Sequence, residues 1–148
     1  MQDRYAGDIG DFAKFGLLKA LLSEFCSLGV NWYKAEPPES EWDKDTGTFH
    51  HEDGKHKISP KYFACDEPLA SALREISESN VRSIARLEQA ALLDPGKTVY
   101  YHEVISVAGR RQWHNNALQT LAPCEIVFLD PDNGLSVKSV GKGSEKSV

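Results

Sequence analysis

The sequence lacks the features that would place the protein in a membrane or in an oxidising compartment. No stretch approaches the roughly 18 consecutive apolar residues that a transmembrane helix needs, so we expect no membrane partner. The first five residues are polar and include an acid, unlike a secretory signal peptide. Only three cysteines are present, an odd number for a disulfide framework. We therefore expect a cytoplasmic protein with reduced cysteines, of which Cys26 and Cys124 lie in apolar surroundings.

A surplus of basic residues is also missing. The chain has 17 Lys and Arg against 22 Asp and Glu, a net charge of −5. Proteins that bind the phosphate backbone usually carry a basic surplus. Any contact with nucleic acid is therefore expected at a local patch, such as Arg110-Arg111 or the lysines of the tail. The length of 148 residues suffices for one domain with its own core, and we expect a single α/β domain over residues 1–148.

Apolar residues at three- and four-residue spacing predict helices, and short runs of branched and aromatic residues predict strands. Asp8 or Asp11 is expected to cap the first helix, and Gly29 fits just past its end. Three strands are predicted: Val30–Lys34, Thr98–Val104 and Ile126–Leu129. The first predicted helix has one apolar face, formed by Phe12, Phe15, Leu18, Leu22 and Phe25. A second helix begins at Asp66-Glu67-Pro68 and has the apolar face Leu69, Leu73 and Ile76, and a third is capped by Asn80. The last helix is Arg110–Leu121, with Trp113, Ala117, Leu118 and Leu121 facing inward.

Strands that alternate with helices indicate a parallel sheet with crossover helices. We therefore predict a three-layer α/β fold with a mainly parallel sheet, methyltransferase-like or Rossmann-like. The continuously apolar run Ile126–Leu129 is typical of a strand covered on both faces. Because the sequence stops soon after this strand, we expect it to be a fragment of a longer domain that continues past Val148. Exposed sheet edges in such a chain favour a homodimer.

The sharpest candidate site follows that strand, at Asp130-Pro131-Asp132-Asn133-Gly134. Parallel sheets bind ligands at the carboxyl ends of their strands, and a turn of this composition holds a carboxylate at a fixed place. Asp130, Pro131, Asp132 and Asn133 are therefore the candidate catalytic residues. An ordinary turn is the alternative, since these residue types are common turn formers.

A second candidate cluster lies near the N-terminus. Two glycines and two acids precede the first helix, and Lys14 lies one turn inside it. The candidate binding residues are Tyr5, Gly7, Asp8, Asp11 and Lys14. The alternative is that Asp8 and Asp11 only cap the helix.

Both clusters resemble a known family. Ala6-Gly7-Asp8, Asp11 and Lys14 look like the N-terminal signature Ala-Gly-Asn-x-Ala-Asp-x-x-Lys of the large-subunit ribosomal RNA methyltransferases that modify the adenine exocyclic amine. Asp130-Pro131 is similar to their Asp-Pro-Pro-aromatic motif. The sequence resembles still more closely a group of uncharacterised bacterial and phage proteins that carry Tyr-x-Gly-Asp-x-x-Asp-x-x-Lys and Asp-Pro-Asp-Asn-Gly.

The resemblance implies an S-adenosylmethionine-dependent methyltransferase-like domain that acts on a base amine of a nucleic acid. Asp130 and the Pro131 carbonyl would hold the amine, and Asp8, Asp11 and Lys14 would shape the cofactor side. Asp132 and Asn133 replace the family's second proline and its aromatic residue, and no glycine-rich turn follows Lys34. Because of these departures, the alternative is that the protein is an inactive relative of the family and serves as a non-catalytic binding module.

Two further chemistries stay open. Asp130 and Asp132 after an apolar strand also resemble the aspartate pair of haloacid-dehalogenase-type phosphotransferases, which use Mg²⁺. His50, His51, Asp53, His56 and Cys65 include zinc-ligand residue types, although their spacing matches no standard zinc motif and a solvated loop is the alternative. We therefore assign no metal site.

Overall fold

The computed structural model describes residues 1–36, 58–79, 81–106 and 108–131. These residues belong to two compact units. The sheet unit consists of Met1, Leu18–Glu36 and Leu93–Val148, and the helical unit consists of Gln2–Leu17 and Pro37–Leu92.

The sheet unit contains three parallel strands in the order β2-β1-β3. The strands are β1 (Leu28–Asn31), β2 (Thr98–Tyr101) and β3 (Ile126–Leu129). Val30 in the central strand lies opposite Tyr100 on one side and Phe128 on the other. The prediction of parallel strands is confirmed, on a small sheet flanked by helices.

Both β1 and β2 differ in extent from the prediction. β1 begins two residues earlier than the predicted Val30 and ends before Trp32, while β2 ends at Tyr101 rather than at Val104. Gly29 therefore lies inside β1 and does not end the first helix. A Cβ at Gly29 would lie 3.1 Å from Leu121 Cδ2 and 3.3 Å from Cys124 Sγ, so this glycine allows close packing on the sheet.

Helix α4 (Arg110–Leu121) covers one face of this sheet and has the predicted bounds. Trp113, Ala117 and Leu121 recur every four residues and are buried, as predicted. Leu118, also predicted to face inward, is 58% exposed. Successive residues are about 100° apart around a helix, so Leu118 lies beside the buried stripe. The core on this face consists of Tyr33, Ala35, Tyr101, Ile105, Trp113, Ala117 and Leu121.

The prediction that β3 is covered on both faces is wrong for the described residues. Within them β3 pairs only with β1 and is an edge strand. Its exposure alternates, with Val127 40% and Leu129 52% exposed. The apolar run therefore forms a strand with one largely uncovered face.

Helix α1 (Ile9–Glu24) begins in the helical unit and ends in the sheet unit. Phe15 and Leu18 of the predicted face are fully buried, whereas Phe12, Leu22 and Phe25 are half-buried. Its start follows the predicted capping chemistry, because Asp8 Oδ1 accepts a hydrogen bond from the backbone nitrogen of Asp11 at 3.0 Å.

The helical unit also contains α2 (Glu67–Glu78), α3 (Ile84–Gln89) and two 3-10 turns, Asp3–Tyr5 and Pro60–Ala64. Asp66 caps α2 as predicted, accepting from Leu69 N at 3.1 Å, and the apolar face of Leu69, Leu73 and Ile76 is buried. Ser83 caps α3, accepting from Arg86 N at 3.2 Å. The predicted cap, Asn80, lies outside the described residues.

The cysteines are free, as predicted. The predicted apolar surroundings are wrong for Cys26, which is exposed, as is Cys65, whereas Cys124 is half-buried and lies beside Leu121 and Val127. Cys26 follows the end of α1 in a turn, where its backbone nitrogen donates to Glu125 at 2.8 Å and its side chain faces outward. Among the described residues, no helix is long and apolar enough to cross a membrane.

Candidate functional site

The carboxyl ends of β1 and β3 are joined directly. Asp130, the first residue after β3, donates its backbone N–H to the Asn31 carbonyl at 2.9 Å, and Pro131 follows. This places the predicted Asp130-Pro131 beside the last residue of the central strand. The carboxyl edge of a parallel sheet is where α/β proteins bind ligands.

The turn after β1 has an unusual backbone conformation. Tyr33 has φ of 44°, in the left-handed region that bulky residues rarely adopt. Such a conformation costs on the order of 1–3 kcal/mol and persists where the surroundings hold it in place. Here the buried Asn31 side chain accepts from Tyr33 N at 3.1 Å, and the Tyr33 ring packs against Trp113 with centroids 4.9 Å apart. The central strand thus ends in a fixed turn that contains no glycine.

Three main-chain carbonyl oxygens converge at this edge. The Met1 ammonium donates to Trp32 O and Tyr33 O at 3.0 Å each, and to Asp130 O at 3.3 Å. Ala35 N in turn donates to Met1 O at 3.0 Å. An ammonium group has three N–H donors, so these oxygens match its full hydrogen-bonding capacity. The joint end of β1 and β3 is therefore tied to the Met1 ammonium through three main-chain oxygens.

A cluster of aromatic side chains supports the turn. The Tyr101 hydroxyl donates to Trp113 O at 3.1 Å, and Trp113 Nε1 donates to Glu103 O at 2.7 Å. Burial raises the pKa of Tyr33, although the Arg110 charge lowers it in part, and burial followed by the Glu103 charge raises the pKa of Tyr101. Both phenols are therefore neutral hydrogen-bonding groups at neutral pH.

The predicted N-terminal cluster lies in the helical unit and is built around Asp11. This side chain is fully buried, and its two oxygens accept from Gly7 N at 2.8 Å and from Lys14 Nζ at 3.1 Å. Burial raises the Asp11 pKa to about 6, the Asp8 charge adds to the rise, and the Lys14 charge and the Gly7 hydrogen bond oppose it. Asp8, Asp11 and Lys14 thus hold one another in place.

Gly7 is required by packing as well as by its backbone angle. It has φ of 85°, and a Cβ there would lie 2.6 Å from Leu73 O and 2.9 Å from Ser77 N in α2. The neighbouring Tyr5 ends a 3-10 turn, where its carbonyl accepts from Asp8 N at 3.2 Å and its ring lies 4.8 Å from the Arg4 guanidinium. Gly7 therefore allows the N-terminal segment to approach α2 closely.

The predicted site residues are thus distributed over both units. Asp130 and Pro131 lie in the sheet unit, and Tyr5, Gly7, Asp8, Asp11 and Lys14 lie in the helical unit. Several other candidates lie outside the described residues: Asp132, Asn133, His50, His51, Asp53 and His56. Among residues that the structure describes, no group of three His, Cys, Asp or Glu side chains could hold a metal ion. At the predicted phosphate patch, Arg110 is half-buried and Arg111 is exposed at the start of α4.

Sequence reasoning missed Asn31 and Tyr33. Asn31 is a polar residue that directly follows Leu28-Gly29-Val30, and a polar residue at the end of such a strand is the signal that would have found it. The left-handed turn at Tyr33 gives no comparable signal, because turn patterns in sequences depend on Gly, Asn and Pro.

Comparisons with protein-family models, curated proteins and solved structures gave no match to this chain.

Proposed function

We propose that the sheet unit is part of a Rossmann-like, methyltransferase-like domain that binds S-adenosylmethionine and acts on a base amine of a nucleic acid. The supporting observation is the 2.9 Å hydrogen bond from Asp130 N to Asn31 O, which puts Asp130 beside the strained turn at Tyr33. Open α/β sheets bind ligands where the strand order reverses. The order reverses at β1 here, since β2 lies on one side of it and β3 on the other.

At this edge, the carbonyl oxygens of Trp32, Tyr33 and Asp130 accept from the chain's own Met1 ammonium at 3.0 to 3.3 Å, which fixes the backbone around Asp130. When bound, the cofactor would supply an activated methyl group. The part we assign to the protein is to hold the substrate amine. Asp130 and the Pro131 carbonyl would accept its N–H bonds and so direct its lone pair, after the base is flipped out if the substrate is a duplex.

The remaining candidates keep the roles that the family resemblance implies. By that resemblance, Tyr5, Gly7, Asp8, Asp11 and Lys14 are candidate cofactor-binding residues, and Asp132 and Asn133, which lie outside the described residues, are candidate catalytic residues. Within the helical unit, the hydrogen bonds that Asp11 accepts from Gly7 N and Lys14 Nζ support this role because they fix the shape of the motif.

Titration calorimetry with S-adenosylmethionine and S-adenosylhomocysteine, followed by a methyl-transfer assay on adenine-containing RNA and DNA, tests the proposal. We expect micromolar binding. Asp130→Asn should lower transfer about 10²-fold, since it disturbs the amine's orientation. The matched control is Asp94→Asn. Asp94 is exposed in the turn before β2, and asparagine can keep its 2.9 Å bond from Gly96 N.

Other outcomes would contradict the proposal in distinguishable ways. Magnesium-dependent release of phosphate from a generic ester, lost in Asp130→Asn, would indicate the phosphotransferase. Cofactor binding without transfer to any tested nucleic acid would indicate a non-catalytic module. An absence of binding to both compounds would remove the cofactor from the proposal.

We propose two partners for the sheet unit, the substrate nucleic acid and a second copy of the chain. The second is supported by β3, an edge strand within the described residues that exposes Val127 and Leu129. Exposed apolar edge strands favour pairing between chains.

A further inference from the structure

Asn31, the last residue of the central strand β1, forms hydrogen bonds through both its main chain and its side chain. Its carbonyl accepts from Asp130 N at 2.9 Å, which ties it to the end of β3. Its Oδ1 accepts from Tyr33 N at 3.1 Å, which ties it to the turn after β1. The residue is only 3% exposed, and burying a polar side chain is costly unless it is hydrogen-bonded. Asn31 therefore connects the end of β3 with the turn that follows β1.

The side-chain bond matches the conformation of this turn. An asparagine whose side chain bonds to the backbone two residues later forms a turn of its own. Tyr33 has φ of 44°, which a bulky residue keeps only where its surroundings hold it. An apolar side chain in place of Asn31 would leave Tyr33 N without this acceptor, so we expect the turn to relax towards negative φ.

The turn is coupled to Asp130 through a shared donor. Tyr33 O and Asp130 O both accept from the Met1 ammonium, at 3.0 and 3.3 Å. The main chain of Asp130 is thus held at its nitrogen by Asn31 O and at its carbonyl oxygen by the same ammonium that holds the turn. Loss of the Asn31 side-chain bond at Tyr33 is therefore expected to loosen Asp130 as well.

We propose that Asn31 is a positioning residue, whose side chain sets the place of Asp130 and of the Pro131 carbonyl through the turn at Tyr33. The inference rests on the proposed function, in which these two groups hold the substrate amine. The family resemblance assigns no role to Asn31. A reacting group displaced by about 1 Å can lower a rate about 10²-fold, so an indirect contact is sufficient to affect transfer.

Asn31→Ser and Asn31→Ala form the test pair, because their side chains are of nearly the same size and differ in one oxygen. A serine hydroxyl can bond to the backbone two residues later, although more weakly than asparagine, and a methyl group cannot. Asn31→Leu also removes the acceptor while filling more of the space, and it replaces Asn31→Ala if that variant does not fold. Asn115→Ala is the control, because Asn115 is exposed on α4. Circular dichroism and thermal melting measure the folded fraction of each variant.

Hydrogen exchange of single backbone amides, measured by NMR on the full chain, is a readout that does not depend on catalysis. The Asp130 amide keeps its main-chain acceptor in every variant, so its exchange reports the coupling and not a deleted bond. We expect this amide to exchange about tenfold faster in Asn31→Ala and close to the wild-type rate in Asn31→Ser. The amide of Ile126, which donates to Ser27 O at the other end of β3, should keep its wild-type rate. Equal acceleration at both amides would indicate a general loss of stability and would contradict the proposal.

The methyl-transfer assay is the second readout. We expect Asn31→Ala to lower kcat per folded molecule about 10²-fold without changing the KM for the nucleic acid, and Asn31→Ser to recover most of this loss. Asn115→Ala should transfer as the wild type does.

The role of Asn31 and the proposed function can fail separately. The positioning role is overturned if Asn31→Ser and Asn31→Ala behave alike, or if the Asp130 amide exchanges in Asn31→Ala as it does in the wild type. A loss of transfer in Asp130→Asn would still support the proposed function in that case. If the wild type transfers no methyl group, the proposed function fails, and the exchange of the Asp130 amide alone decides whether Asn31 positions Asp130.

Discussion

Replacing Gly7 with alanine tests the packing of the N-terminal motif in the helical unit. The new Cβ would meet Leu73 O at 2.6 Å and Ser77 N at 2.9 Å, both in the backbone of α2, which cannot rotate away. Overpacking of this kind costs about 1–3 kcal/mol. The left-handed φ of 85° adds on the order of 1–2 kcal/mol for a residue with a Cβ. We therefore expect Gly7→Ala to lower the free energy of unfolding by about 2–5 kcal/mol.

Gly16→Ala is the matched control for this change. Gly16 lies in α1, is exposed, and a Cβ there would meet nothing within 4 Å. Alanine in a helix interior is favoured over glycine by about 0.5–1 kcal/mol, so this variant should be more stable than the wild type. Urea unfolding followed by circular dichroism measures both variants. A Gly7→Ala protein within about 0.5 kcal/mol of the wild type would refute the close approach of Gly7 to α2.

Two further predictions concern the buried acid and the edge strand. Burial raises the Asp11 pKa from 3.8 to about 6, so its contribution to stability is fully present below pH 3.8 and is lost as the pH rises through about 6. Asp11→Asn should remove this dependence in urea unfolding between pH 4 and 7, and an unchanged pH profile would contradict the burial of the acid. For the edge strand, sedimentation equilibrium should show a dimer that Val127→Lys dissociates, because a charge at β3 opposes pairing. A wild-type monomer, or a dimer that survives this change, would contradict pairing through β3.

The sequence was sufficient to predict the elements whose signals are local. The alternation of strands and helices predicted parallel pairing, and the cap at Asp66 and the bounds of α4 follow from side-chain chemistry and periodicity. Leu118 was wrongly predicted to face inward, because the periodicity of apolar residues does not decide which residue next to Ala117 faces the sheet. The exposure of Val127 and Leu129 depends on how many strands and helices surround β3, and an apolar run contains no such information.

In the candidate site, too, the features with a local sequence signal were predicted and those that depend on the tertiary structure were not. Asp130 and Pro131 were predicted at the end of β3, since an apolar strand followed by turn formers is visible in the sequence. The link from Asp130 N to Asn31 O joins residues 99 positions apart, and only the order of the strands creates it. In the turn at Tyr33, Asn31 Oδ1 accepts a hydrogen bond from Tyr33 N, and no glycine, asparagine or proline pattern at Tyr33 indicates this turn in the sequence.

The most direct test of the proposed function is an NMR titration of the ¹⁵N-labelled full chain with S-adenosylhomocysteine. We expect the largest shifts at the backbone amides of Tyr33, Lys34 and Asp130, at the joint carboxyl ends of β1 and β3. The amides of Gly96 and Lys97, which precede β2 at the opposite edge of the sheet, should not move. Shifts confined to that opposite edge, or no shifts at a saturating concentration, would contradict a cofactor site at Asp130.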